Sequence, residues 1–214
     1  MLSKKVCIIN GSGAYYTLMR SLGFSITYSV DKADLVLFTG GEDVTPSLYG
    51  HPAHNHTFNN PIRDVQEKHV FEECRKLGIP MVGICRGGQF LNVMSGGEMY
   101  QHVLGHTVDH VAEDVLSGNT LWVSSTHHQM MKPSESAIIV TVAREYNRVE
   151  YWDKESNKWT VHPSVLDIES VYYPETRCLC FQPHPEFIGE RYKHMKEYFN
   201  ELLERHLFEQ SVET

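Results

Sequence analysis

The residues most suited to chemistry lie in "VGICRGGQF", 82–90, where Cys85 stands between an apolar run and a helical run, with glycines on both sides. A cysteine at a strand-to-helix elbow is a nucleophile candidate. Its side chain projects above the sheet edge, and the flanking glycines allow the strand and helix to approach closely. The N-terminus of the following helix favours a thiolate and supplies backbone N–H donors for an oxyanion. A thiol nucleophile requires a base, and the base requires an orienting group. With thirteen histidines in the chain, a histidine by itself carries little weight, so spacing decides. In "CLCFQPHPEF", 178–187, His184 directly follows a β-rich run and Glu186 lies two residues on, across a proline that fixes the backbone. The chemistry implied is attack on a carbonyl carbon by a cysteine with an acid–base histidine, and it requires neither a metal nor an organic cofactor.

These side chains have to be held by a scaffold. "KVCIIN" (5–10), "DLVLFTGG" (34–41) and "IPMVGIC" (79–85) are apolar runs ending in turn residues, as expected of parallel strands buried on both faces. "AYYTLMRSLGF" (14–24), "RDVQEKHVFEECRKLG" (63–78) and "RGGQFLNVMSGG" (86–97) have helical patterns. In the second, Asp64 is the expected cap, Val70, Phe71 and Cys74 share a face, and Gly78 is the stop. "EDVTPSLYGHPAHNHTFNNP" (42–61) is expected to be a loop. The second half is β-rich: "TLWVSS", "AIIVTVA", "RVEYWD", "ESVYYP" and "RCLCFQ" are separate runs. A C-terminal amphipathic helix (187–209) places Tyr192, Met195, Phe199, Leu202 and Leu203 on its apolar side, and "SVET" is expected to fray. The alternation of strands and helices predicts a doubly wound parallel sheet, and the length suits one domain over residues 1–214.

Bulk properties narrow the function. A net charge of −8 and the absence of basic runs argue against nucleic-acid binding, and no apolar stretch has the length of a membrane span. Five cysteines without framework spacing, and no signal-peptide pattern, point to a reducing compartment, and the expected location is cytoplasmic.

"GICRGGQ" together with "QPHPEF" resembles the class I glutamine amidotransferase-like superfamily. "FTGGEDVTPSLYG", "RDVQE", "GICRGGQFLNVMSGGEMYQ" and "SSTHHQ" resemble the gamma-glutamyl-gamma-aminobutyrate hydrolase branch, peptidase family C26. The resemblance runs in order from about residue 34 to 187. It implies an α/β flavodoxin-like three-layer sandwich with a mostly parallel central sheet and additional strands in the second half. It also implies a Cys-His-Glu triad of Cys85, His184 and Glu186. The oxyanion hole would be the backbone N–H groups of Gly41 and Arg86. Gly40, Gln89, His127 and His128 would lie near the substrate. The implied substrate is a γ-glutamyl amide of a small molecule, or glutamine. The same motifs serve glutaminase subunits that supply ammonia to a separate synthetase, so a synthetase or a second copy of the chain are the protein partners left open. A non-catalytic binding module is a third reading, which the intact triad opposes.

Other features are expected to be structural. "HPAHNH" (51–56) has three loop histidines but no Cys or carboxylate at ligand spacing, so no metal is expected there. His102, His106 and His110 are four apart, but Gly105 and Thr107 disfavour a helix, and the three are expected at the surface. Cys178 and Cys180 point one way from a strand and are expected in the core. Thr39 departs from the branch, which more often has proline there. The aromatic, charged segment 145–170 is expected to be a hairpin excursion, an interface or a rim of the cleft.

Overall fold

Alternation along each buried strand builds the centre of the molecule. A computed structural model describes residues 3–104 and 107–209, with only the backbone described for Glu145 and Tyr146. The elements in the first half are β1 (Lys5–Ile9), α1 (Gly13–Ser21), β2 (Ser25–Thr27), β3 (Leu35–Phe38), α2 (Pro61–Leu77), β4 (Met81–Ile84) and α3 (Arg86–Met94). There follow β5 (Glu98–Tyr100), β6 (His102–Leu104), β7 (His110–Asp114), β8 (Thr120–Val123), β9 (Met130–Lys132), β10 (Ile138–Asp153), β11 (Lys158–Tyr173), β12 (Cys178–Phe181) and α4 (Lys193–Leu203). Successive strand residues face opposite ways, so both faces of a continuously apolar strand need cover. Val6, Ile8, Leu35, Leu37, Val82, Ile84, Leu179 and Phe181 pack under α1 and α4, against Leu18, Met19, Met195 and Phe199. Cys7, Val36, Phe38, Met81, Cys178 and Cys180 face the other way, onto Phe71 and Cys74 of α2 and Phe90 and Leu91 of α3. This is the three-layer α/β sandwich expected.

The main sheet runs β2-β1-β3-β4-β12-β11-β10-β7-β8, with β6 also paired to β10. Its first five strands are parallel. From β11 onward the added strands are antiparallel. The functional ends of β3, β4 and β12 are therefore adjacent, at the carboxyl edge where open α/β sheets place their sites. No helix among the described residues is long and apolar enough to cross a membrane.

Several local expectations are corrected. Asn60, not Asp64, caps α2: its side chain accepts from the Arg63 N–H at 3.2 Å, with Pro61 opening the first turn. Gly78 does close this helix, in the left-handed conformation. "AIIVTVA" and "RVEYWD" are parts of one strand, β10, which forms a single long hairpin with β11, pairing Ile138 with Tyr172 at the base and Asp153 with Lys158 at the tip. The segment 145–170 is the upper part of this hairpin. The C-terminal helix begins at Lys193, preceded by a short 3₁₀ turn, and Tyr192, Met195, Phe199, Leu202 and Leu203 are buried as expected. His110 is not at the surface: it is buried, facing Glu169. His102 is partly buried, stacked on His56 with ring centroids 4.3 Å apart. Gly105, His106, the tail 211–214 and the side chain of Tyr146 lie outside the described residues.

Candidate active site

β4 ends at Ile84 and α3 begins at Arg86, so Cys85 alone makes the turn, with φ 51° and ψ −115°. Such a conformation costs a non-glycine residue on the order of 1–3 kcal/mol and persists only where packing enforces it. The enforcement is visible at the glycines. A Cβ on Gly83 would stand 2.2 Å from the Gly87 carbonyl carbon, and one on Gly87 would stand 2.1 Å from the Phe38 oxygen. Only hydrogen side chains let α3 press this closely on β3 and β4. The Cys85 N–H donates to the Phe181 carbonyl at 2.8 Å, which fastens the elbow to β12.

β12 delivers the other two groups. Past Phe181, the His184 N–H donates to Ser124 Oγ at 2.8 Å, and His184 Nδ1 bonds Glu186 Oε1 at 2.6 Å. The opposite ring nitrogen, Nε2, bonds Thr126 Oγ1 at 2.9 Å. Phe187 stacks on the imidazole at 4.7 Å, so the ring is fixed on its face as well as at both nitrogens. Burial would lower the His184 pKa, but Cys85 and Glu186 beside it outweigh burial and raise it to about 10. A Cβ on Gly40 would lie 3.4 Å from His184 Cε1 and 3.7 Å from Cys85 Cβ, so these three residues converge.

The loop after β3 completes the near wall. The Gly40 N–H donates to the Tyr15 hydroxyl at 3.0 Å. Burial and the neighbouring Glu186 hold the Tyr15 phenol well above its usual pKa. Gly41, Cys85 and Arg86 line one cavity of about 200 Å³, together with Gln89, Thr126, His127 and His128. The Thr39 hydroxyl donates to the Ile9 carbonyl at 2.9 Å, tying this loop to the end of β1.

The Arg86 side chain turns away from the chemistry. It is buried and forms ion pairs with Asp64 and Glu67 of α2. Glu67 also pairs with Arg63 at 2.8 Å, and Arg63 Nη2 donates to the Thr39 carbonyl at 2.9 Å and the Gly40 carbonyl at 3.1 Å. "RDVQE" and the arginine of "GICRGG" therefore form one buried charge network that braces both the elbow and the glycine loop.

Of the remaining candidates, Gln89 donates from Nε2 to Gln182 Oε1 at 3.0 Å. His127 is buried and bonds the Gln129 carbonyl through Nδ1 at 2.8 Å. His128 sits at the cavity mouth, paired with Asp43 at 3.1 Å, a bond that raises its pKa against the effect of burial. Above them, His54 bonds Glu150 at 2.8 Å and meets the Trp159 ring edge-on at 4.5 Å. The hairpin thus grips the 51–59 loop, whose Phe58 lines the cavity mouth. Sequence reasoning missed Thr126, Tyr15 and the partners of Arg86. Thr126 lies within "SSTHHQ", of which sequence reasoning singles out the histidines alone.

Comparison with known proteins places the sequence and the fold among known ones. The family described as Peptidase C26 matches residues 6–163, a span that includes Cys85 and stops short of His184. A Mycobacterium tuberculosis protein, provisionally named a glutamine amidotransferase, is 39% identical over 89 residues, covering 39% of this chain and 28% of the relative. Protein NtpR of Enterococcus hirae is 28% identical over 164 residues, covering 64% of this chain and 69% of the relative. Among solved structures, PurLQS from Thermotoga maritima superposes with TM-score 0.65 at 16% identity, covering 95% of this chain and 99% of that one. A Thermoplasma acidophilum protein, provisionally described as one chain of a GMP synthase, superposes with TM-score 0.59 at 13% identity, covering 97% and 93%. At such identities the superpositions speak for the fold alone. The family match rests on the sequence itself, and by it this chain belongs to the Peptidase C26 family.

Proposed function

We propose that residues 1–214 form one cysteine hydrolase domain that cleaves the γ-glutamyl amide bond of a small molecule. The observation that carries this reading is the position of His184. It is pinned by Glu186 at 2.6 Å, adjoins Cys85 on its strained elbow, and bonds Thr126, which lines the same cavity as Cys85. His184 takes the Cys85 proton as the sulfur attacks the side-chain amide carbon. The oxyanion is met by the backbone N–H groups of Arg86 and Gly41, each worth roughly 3 kcal/mol in comparable sites. His184 gives its proton to the leaving nitrogen and the amine departs, leaving a γ-glutamyl thioester. His184 then takes a proton from water, the hydroxide attacks the thioester, and glutamate leaves as Cys85 is restored. The Thr126 hydroxyl holds Nε2 between Cys85 and the leaving group. Gln89, Gly40, His127 and His128 would shape the substrate pocket. All five cysteines are free, which suits the reducing cytoplasm.

The second reading is a glutaminase chain that passes ammonia to a synthetase. The sequence likeness to a relative provisionally named a glutamine amidotransferase, 39% identical over 89 residues, favours it. Purified protein, with no partner added, is assayed for glutamate release from glutamine, from γ-glutamyl amines and from matched β-aspartyl amides. Hydrolysis of several γ-glutamyl amines with the β-aspartyl series nearly inert supports the hydrolase. Turnover of glutamine alone, and only with a second protein present, establishes the glutaminase reading instead.

A further inference from the structure

Behind the cavity wall lies a second group of chemically capable residues that the triad does not use. His110 projects from β7, His127 from the loop after β8, and Asp167 and Glu169 from the same face of β11, two residues apart. All four are buried: His110 is 6% exposed, His127 4%, and both carboxylates 0%. The ligand-type atoms of His110, Asp167 and Glu169 all lie within 4.8 Å of one another. The two imidazoles are oriented alike. His110 Nδ1 bonds the Val108 carbonyl at 3.0 Å, and His127 Nδ1 bonds the Gln129 carbonyl at 2.8 Å. A carbonyl only accepts, so each Nδ1 carries a proton; the Glu169 carboxylate also only accepts, so His110 Nε2 donates to it, and Nε2 is the nitrogen of each ring that a metal could claim, on His110 by displacing that proton. Both Nε2 atoms face Glu169 Oε1, at 2.9 Å and 3.9 Å. Asp167 Oδ2 is itself held by Asn147 Nδ2 at 3.2 Å. Imidazoles steadied by backbone carbonyls through the far nitrogen, with a carboxylate fixed by an amide, form the outer shell that metal ligands use.

We propose that His110, His127, Asp167 and Glu169 form a binding site for one divalent transition-metal ion. Two nitrogens and two carboxylate oxygens suit zinc in four-coordinate geometry, and the +2 charge cancels the two buried carboxylates. The ion would take the place of any proton on His110 Nε2, so binding weakens in acid. Its role is to brace. It joins β7 and β11 to the loop that carries Thr126 and His128, and the Glu169 carbonyl accepts the Gln182 N–H at 2.8 Å, two residues before His184. His127 also lines the active-site cavity, which gives the ion a path from solvent.

The test uses full-length protein without a polyhistidine tag. Metal content is measured by mass spectrometry after dialysis against excess zinc and gel filtration. X-ray absorption at the zinc edge then reports the ligands. About one zinc per chain is expected in the native protein and in Cys85→Ala. Loss is expected in Glu169→Gln and in His110→Gln, along with a lower Tm on chelation of the native protein. The absorption spectrum should show only nitrogen and oxygen neighbours at about 2.0–2.2 Å. Where either variant fails to fold, the spectrum of the native protein decides. No retained zinc, a sulfur neighbour, or zinc lost in Cys85→Ala but kept in Glu169→Gln overturns the site.

Discussion

Glu186→Gln isolates the charge behind the histidine while leaving its shape. The carbonyl of the new amide can still accept from His184 Nδ1, so the ring keeps its tautomer and position, but the negative charge is gone. His184 is raised from 6.5 to about 10 against the effect of burial, by Cys85 and Glu186 together. That net rise corresponds to roughly 5 kcal/mol of preference for the protonated imidazole. If the two partners contribute comparably, removing one lowers the His184 pKa by at least about 2 units, since the pair also offsets burial, and costs about 3 kcal/mol or more of imidazolium stabilisation. Because the folded pKa lies above the unfolded one, this group stabilises the fold fully below about pH 6.5, and the contribution fades as pH rises through about 10. The variant should lose it at a lower pH. The assay is kcat/KM for a γ-glutamyl anilide across pH, with Tm measured in the same buffers. The alkaline limb should move down by about 2 units or more, with a fall in kcat of roughly 10²-fold, the factor that about 3 kcal/mol corresponds to. Coincident alkaline limbs and rates within a few-fold of native would refute the assignment of Glu186 as the orienting charge.

Gly87→Ala should be far more damaging than its size suggests, because the added carbon meets Phe38 backbone at 2.1 Å and no rotamer relieves it. A loss at or above the upper end of roughly 1–3 kcal/mol is expected by chemical denaturation, with the elbow displaced and activity lost. Arg86→Met should cost about 3–5 kcal/mol, because it strands Asp64 and Glu67 in the interior, though Glu67 keeps Arg63. Adding Asp64→Asn to it should restore part of that loss, and a double-mutant cycle measures the coupling.

The parallel strands are legible directly, because residues buried on both faces leave unbroken apolar runs such as "LVLF" and "CLCF". Cys85 is legible because its turn demands glycines within two residues on each side. Features that depend on distant partners are not. Asp64 stands where a first-turn acid ought to help a cap, yet its carboxylate is claimed by Arg86, 22 residues on. His110 reads as one of three evenly spaced surface histidines, but β7 and β11 bring it to Glu169, 59 residues away. The polarity of Glu145 and Asn147 resembles a turn and divides the pattern of β10 in two, yet both lie within one long strand with register shifts.

The central claim is that Cys85 carries the γ-glutamyl group during turnover. Acid quenching of the steady state with a slow γ-glutamyl ester, followed by peptide mass mapping, tests it directly. The account predicts a glutamyl adduct on the peptide containing Cys85, absent in Cys85→Ala. Turnover with no adduct there, or an adduct on Cys7, Cys74, Cys178 or Cys180 that persists in Cys85→Ala, would contradict it.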